Sequence, residues 1–202
     1  MNPIIIAVTG ASAQILAERS IDLLLRNGEN VQLILSKGAL EVWKSELGIN
    51  IPVDSVKQEE FWRNRLDNNS GVLTCYKWNQ HSAPIASGSV ITKGMVIIPC
   101  SMGTLGRIAS GISVNLIERC ADVHLKESRP LIISPRESPF NLIHINNMKA
   151  LSEAGAKIAP CIPAWYTQPS SLDEMVDFMI VRLFDQLNLN LKEIQRWQGS
   201  IQ

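Results

Sequence analysis

The chain is predicted to fold as one α/β domain, a doubly wound and mostly parallel sheet with helices on both faces, and three observations predict it. Short β-branched apolar runs alternate with helix-period segments along the sequence. The runs are too continuously apolar for a sheet with one wet face, as strands covered on both sides require. The 202 residues, 46% hydrophobic and 19% charged, suffice for one core and leave no room for a second full domain.

Taken in order, Ile4–Thr9 is the first strand, Gly10–Ala11–Ser12 a tight turn, and Gln14–Leu25 an amphipathic helix carrying Ile15, Leu16, Ile21, Leu24 and Leu25. Asn27–Gly28 ends it, and Val31–Leu35 closes a βαβ unit with a right-handed crossover. Ser36 leads into a helix at Lys37–Leu47. Residues 49–90 are the least regular: Pro52, the acidic and aromatic stretch Glu59–Leu66, a turn at Asp67–Gly71 and a strand at Gly71–Trp78. Gly94–Pro99 is a strand ending in Cys100–Ser101, and a Gly/Ala/Ser-rich helix is expected from Thr104 to Ala121. Leu131–Ser134 is a buried strand, Phe140–Gly155 a helix, Lys157–Ala159 the last strand and Ser171–Asn188 an amphipathic helix. Residues 1–190 are read as the domain and 191–202, with Trp197, as a tail that packs on a neighbouring subunit.

Nineteen Lys and Arg balance nineteen Asp and Glu. That zero net charge removes the electrostatic footprint of a nucleic-acid or anionic-membrane binder and leaves association between copies unopposed. Cys75, Cys100, Cys120 and Cys161 have no CxxC spacing, and His81, His124 and His144 have no metal-like mutual spacing, so no metal is expected. No apolar run reaches the ~18 residues of a membrane span, and Met1–Asn2–Pro3 lacks a basic n-region. The chain reads as cytoplasmic with reduced thiols.

In such a sheet, ligands sit beyond the carboxyl ends of the strands. Here those ends carry Thr9, Gly10, Ala11 and Ser12; Ser36 and Lys37; Ser101, Met102, Gly103 and Thr104; and Arg136, Glu137 and Ser138. Small residues let backbone amides approach an anion and hydroxyls add donors, so the coincidence points to an oxyanion or phosphate site, although each Ser or Thr taken singly is more simply an N-cap. Gly10–Ala11–Ser12 is followed by neither the later glycine of GxGxxG nor GK[ST], which disfavours dinucleotides and nucleoside triphosphates and suits a phosphomonoester such as FMN. No serine sits in a GxSxG elbow. Glu118, Glu127 and Arg129 read as a solvated helix face. Arg136–Glu137, at a strand end, reads as a buried pair that needs a partner or a job. Trp165 and Tyr166, between Pro163 and Pro169, serve packing or the wall of a planar ligand. Arg182, between Val181 and Leu183, either snorkels or reaches an anion.

The string Pro99–Cys–Ser–Met–Gly–Thr–Leu105, the segment Asn115–Leu131 and Pro135–Arg–Glu–Ser–Pro–Phe140 occur in order with Thr9–Gly–Ala–Ser12, Ala86–Ser–Gly–Ser89 and Ala164–Trp–Tyr166. Together they closely resemble the UbiX-type flavin prenyltransferases, long labelled aromatic acid decarboxylases, from about Ile4 to Leu189. The resemblance implies a flavodoxin-like domain that joins a dimethylallyl group from dimethylallyl phosphate to N5 and C6 of reduced FMN. It further implies a metal-free dodecamer whose product serves a UbiD-type decarboxylase. Carried over, the FMN positions are Gly10, Ala11, Ser12, Ser36, Ser101, Met102, Gly103, Thr104 and Arg136. Those for dimethylallyl phosphate are Ser87, Lys126, Tyr166 and Arg182, and the catalytic ones Glu137, Lys126 and Ser12. Lys126, Arg182, Tyr166 and Ser87 would neutralise the departing phosphate, Trp165 would face the allylic cation, and Glu137 would shuttle protons. The chain departs from the family at Ala13, where Gly is usual, and at His81, where tryptophan is frequent; some members carry Lys at Gly103 and Asp at Val114. The rival reading of a flavin-dependent cysteinyl decarboxylase calls for a PASANT-like segment and an early histidine, whereas Ala83–Ser89 reads APIASGS and no histidine precedes His81. A non-catalytic FMN-binding subunit would not need Lys126, Glu137, Tyr166 and Arg182. With so many strand ends given to FMN, neighbouring copies are expected to complete the pocket.

Overall fold

The structure, a computed structural model, describes residues 2–66, 70–189 and 191. Its strands are β1 (Ile4–Val8), β2 (Asn30–Leu35), β3 (Val72–Lys77), β4 (Gly94–Cys100), β5 (Leu131–Pro135) and β6 (Lys157–Ile158). They form one six-stranded sheet in the order β3-β2-β1-β4-β5-β6. All neighbours are parallel. The helices are α1 (Gln14–Arg26), α2 (Lys37–Leu47), α3 (Ser55–Arg65), α4 (Met102–Ala109), α5 (Leu116–Lys126), α6 (Leu142–Glu153) and α7 (Leu172–Phe184).

Every residue of β1 is buried, and successive side chains serve opposite layers. Ile4, Ile6 and Val8 join residues of α1, α2, α3 and α7 in one core, while Ile5 and Ala7 join α4, α5 and α6 in the other. The chain winds from β1 outward to β3, then crosses to β4 on the other side of β1. The winding direction therefore reverses between β1 and β4, and that is where such a sheet opens a crevice.

Two expectations about helices are corrected. Ser55–Arg65, within the stretch expected to be irregular, is α3, capped by Asp54, whose Oδ1 accepts the Val56 amide at 3.1 Å and the Lys57 amide at 3.3 Å. It buries only Gln58 and Trp62, the latter edge-on to Trp43 at 5.2 Å, so no apolar stripe marks it. The helix expected over Thr104–Ala121 is two helices, α4 and α5. Gly111, at φ 70°, turns the chain out of α4, and the Asn115 side chain restarts it by accepting the Glu118 amide at 3.1 Å. At the other end of the chain, α7 stops at Phe184 and a 3-10 turn, Asp185–Leu187, follows. Of the expected turn at Asp67–Gly71, residues 67–69 lie outside the described residues, as does the expected tail 191–202 apart from Leu191. Among the described residues no helix is long and apolar enough to cross a membrane.

Candidate functional site

Thr9 stitches the crevice between β1 and β4. Its hydroxyl donates to the Pro99 carbonyl at 2.9 Å and accepts the Ser101 amide at 2.7 Å. The Arg136 amide donates to the Cys100 carbonyl at 3.0 Å and the Ser36 amide to the Val8 carbonyl at 2.9 Å, so the ends of β2, β1, β4 and β5 are held in one row. The first two loops touch backbone to backbone: a Cβ on Gly10 would lie 3.0 Å from both Cα and C of Gly38.

The helix N-termini on this rim differ in what they leave open. Ser36 caps α2, accepting the Ala39 amide at 3.0 Å. Ser101 caps α4, accepting the Thr104 amide at 3.4 Å and donating to the Thr104 hydroxyl at 3.1 Å. At α1, Ala13 stands at φ 78° without a side-chain cap, and the Glu46 carboxylate from α2 takes its place, accepting the Ala13 amide at 3.1 Å and the Gln14 amide at 3.4 Å. An anionic ligand therefore does not find the first amides of α1 vacant. Buried Gln14 steadies this turn by donating Nε2 to the carbonyls of Thr9 at 2.9 Å and Ala11 at 2.8 Å.

Positive charge enters from α4 itself. Arg107 donates to the Thr104 hydroxyl at 3.2 Å and pairs with buried Glu118 at 2.5 Å. A Cβ on exposed Gly103 would meet only Arg107 Nη1, at 3.5 Å. Glu118 is thus no solvated face residue: its side chain is fully buried and its second oxygen accepts the Val114 amide at 2.8 Å. Open backbone at Gly103, hydroxyls at Ser12, Ser36, Ser101 and Thr104 and a nearby guanidinium fit the phosphate and polyol of FMN.

The other predicted residues fall into two groups. Lys126 lies beside Gly88, the neighbour of Ser87, where a Cβ would lie 2.9 Å from Lys126 Nζ, and Lys126 is ion-paired with Glu127. On the opposite face of the sheet, Arg136 lines a mainly apolar cavity of about 300 Å³ together with Ile15, Pro99, Val176 and Met179, and Arg182 lines a neighbouring one of about 130 Å³. Cys161 and Met179 belong to both walls. Tyr166 stacks edge-on against Phe178 at 5.7 Å, and Arg182 pairs with Asp185 at 2.7 Å. Within one chain the Ser87–Lys126 group, on the α5 face, and the Tyr166–Arg182 group, on the α7 face, are not brought together. Arg136 and Glu137 are exposed rather than buried, and Glu137 Oε1 accepts the Ser138 amide at 3.0 Å. The strand end that carries them projects beyond the core.

Burial pushes the thiols of Cys100 and Cys120 up to about 12 and raises that of Cys161, which keeps them protonated at neutral pH and poor nucleophiles. Among the described residues no group of His, Cys, Asp and Glu is arranged to hold a metal. Gly38, Glu46 and Arg107 are absent from the sequence prediction, and Arg129, read there as part of a solvated face, is half-buried with its guanidinium on the Val90 and Gly88 carbonyls. Only Gly38 left a signal there, a glycine in the first turn of a helix that begins at a strand end.

The flavoprotein family profile matches residues 1–183. A flavin prenyltransferase, UbiX, from Synechocystis sp. is 44% identical over 202 residues, spanning 100% of this chain and 98% of that protein. Among solved structures, AnUbiX in complex with FMN and dimethylallyl pyrophosphate superposes with a TM-score of 0.87 at 34% identity, covering 99% of each chain. A dodecameric FMN-dependent UbiX-like decarboxylase from Escherichia coli O157:H7 gives 0.84 at 34% identity, covering 98% of this chain and 100% of its own.

Proposed function

The chain belongs to the flavoprotein family of UbiX flavin prenyltransferases, and from that premise we propose that it transfers a dimethylallyl group from dimethylallyl phosphate to reduced FMN. The observation that carries this reading is the convergence, at one crevice, of the hydroxyl-bearing ends of β1, β2 and β4 with Arg136 at the end of β5. FMN supplies the nucleophilic N5 and C6. Gly10, Ala11, Ser12, Ser36, Ser101, Met102, Gly103, Thr104 and Arg136 bind and orient it. Transfer breaks the allylic C–O bond of the donor, whose oxygen keeps the bonding pair and leaves as phosphate. The donor's C1 bonds to N5 and its C3 to C6; the N5 proton goes to phosphate and the C6 proton to the former alkene carbon C2.

Ser87, Lys126, Tyr166 and Arg182 hold the donor phosphate and offset its growing charge. Glu137, exposed at the rim, carries protons between flavin and phosphate, and Ser12 adds a hydroxyl at the β1 turn. Because Ser87 and Lys126 lie across the sheet from Tyr166 and Arg182, a complete donor site draws on more than one copy of the chain. Exposed Leu142, Ile143, Trp165 and Leu172 supply apolar surface for such packing. The assembly we propose is a homo-oligomer, a dodecamer as in the Escherichia coli relative, acting in the cytoplasm and handing its product to a UbiD-type decarboxylase.

Anaerobic incubation with reduced FMN and dimethylallyl phosphate, followed by mass spectrometry of the released flavin, tests the reading. A flavin heavier by one C5H8 unit supports it; unmodified FMN at full protein occupancy rejects it.

A further inference from the structure

We infer that Arg129, outside the proposed set of ligand-contacting residues, is a positioning residue that shapes the Ala86–Val90 loop for the donor phosphate; the inference rests on the assignment of Ser87 and Lys126 to that phosphate. Arg129 follows α5, and its own amide donates to the His124 carbonyl at 2.8 Å, which fixes its backbone to the end of that helix. Its guanidinium donates Nη1 to the Val90 carbonyl at 2.6 Å and Nη2 to the Gly88 carbonyl. Arg119, from α5, donates Nε to the Ala86 carbonyl at 3.1 Å. The carbonyls of residues 86, 88 and 90 are therefore all bound to guanidinium groups.

The residues between them behave differently. Ser87 and Ser89 are exposed, their hydroxyls 2.9 Å apart, and the Ser89 amide donates to the Ser87 hydroxyl at 3.3 Å. Gly88 has no side chain to spare: a Cβ there would lie 2.3 Å from Glu127 Oε1, so the Lys126–Glu127 pair rests directly on bare backbone. Carbonyl oxygens turned toward a phosphate would repel it. Two guanidinium groups bind them instead, so the loop presents the Ser87 and Ser89 hydroxyls to an anion, with the Lys126 ammonium, paired to Glu127, beside Gly88. Binding carbonyls two residues apart takes a planar fork, which lysine lacks.

Arg129→Gln, Arg129→Lys, Ser87→Ala and the double variant Ser87→Ala/Arg129→Gln would be assayed with full-length protein. The readouts are kcat and KM for dimethylallyl phosphate, the FMN dissociation constant from flavin fluorescence, and the melting temperature. Arg129→Gln is expected to raise KM about tenfold, with Arg129→Lys in between, while FMN binding stays within about twofold. In the double variant the rise should fall short of the product of the two single effects, because both act through one loop. Should Arg129→Gln fail to fold, the same comparison is read from Arg129→Lys, which keeps the charge and loses the fork. Parallel losses of FMN affinity, KM and melting temperature, or fully multiplicative effects, would overturn the inference. If Ser87→Ala raises KM and neither Arg129 variant does, only the inference falls. If Ser87→Ala leaves KM unchanged, the assignment of Ser87 to the phosphate fails and the inference falls with it.

Discussion

Glu46, near the end of α2, accepts the backbone N–H of Ala13 at 3.1 Å, so a carboxylate from one helix caps the first turn of another. The capped residue is itself strained, with φ at 78°, a region that disfavours any Cβ.

Ala13→Gly relieves that strain without touching the cap. Offset by the greater freedom of glycine in the unfolded chain, the net gain is about 0.5–1 kcal/mol, or roughly 1–4 °C in melting temperature. Differential scanning calorimetry checks it, and a lower melting temperature would contradict the strain argument.

Glu137→Gln keeps shape and removes the titrating group. FMN affinity should be nearly unchanged while formation of the new ring slows by about two orders of magnitude or more, on the order of what a positioned acid–base group contributes. Anaerobic absorbance kinetics read the rate; unaltered turnover would remove Glu137 from proton transfer.

Tyr166→Phe and Arg182→Ala lie on the α7 side and should weaken the prenyl donor more than the flavin. Loss of a charge-assisted contact predicts about a tenfold or greater rise in KM for dimethylallyl phosphate from Arg182→Ala, and a smaller one from Tyr166→Phe. Separate titrations of each ligand decide it.

His124 supplies a pH test. It is buried, its Nδ1–H donates to the Cys120 carbonyl at 2.7 Å, and its Nε2 accepts from the Thr92 hydroxyl at 2.8 Å. Burial lowers its pKa below the ordinary 6.5, so the folded chain keeps it neutral where the unfolded chain takes up a proton. Stability from this group is full above about pH 6.5 and declines as the pH falls toward the folded value, by at most about 1.4 kcal/mol per pH unit. Thermal melts at pH 7.5, 6.5 and 5.5 should show the decline, and His124→Gln, though less stable at neutral pH, should flatten it.

The sheet was legible because runs such as Ile4–Val8 and Gly94–Cys100 are buried on both sides and must be apolar throughout. Helices were legible where one face is greasy, as in α1. α3 escaped because two buried residues do not make a stripe, and the α4–α5 break escaped although Ser110–Gly111 and the Asn115-to-Glu118 spacing both signal it. At the site, strand-end hydroxyls could be named from local pattern alone. Glu46 and Arg129 could not, since each acts on backbone more than thirty residues away, and nothing in a glutamate on a helix or an arginine just after one says which amides or carbonyls it will meet.

The Thr9 hydroxyl has its own consequence. It bolts the two halves of the sheet together where their winding reverses, tying the end of β1 to the end of β4 through both its proton, given to the Pro99 carbonyl, and a lone pair, offered to the Ser101 amide. The width of the crevice is thereby a fixed gauge that a bound flavin cannot pry wider. Any adjustment to ligands of different bulk has to come from the surrounding loops, which makes them, and not the sheet, the adjustable jaws of the domain.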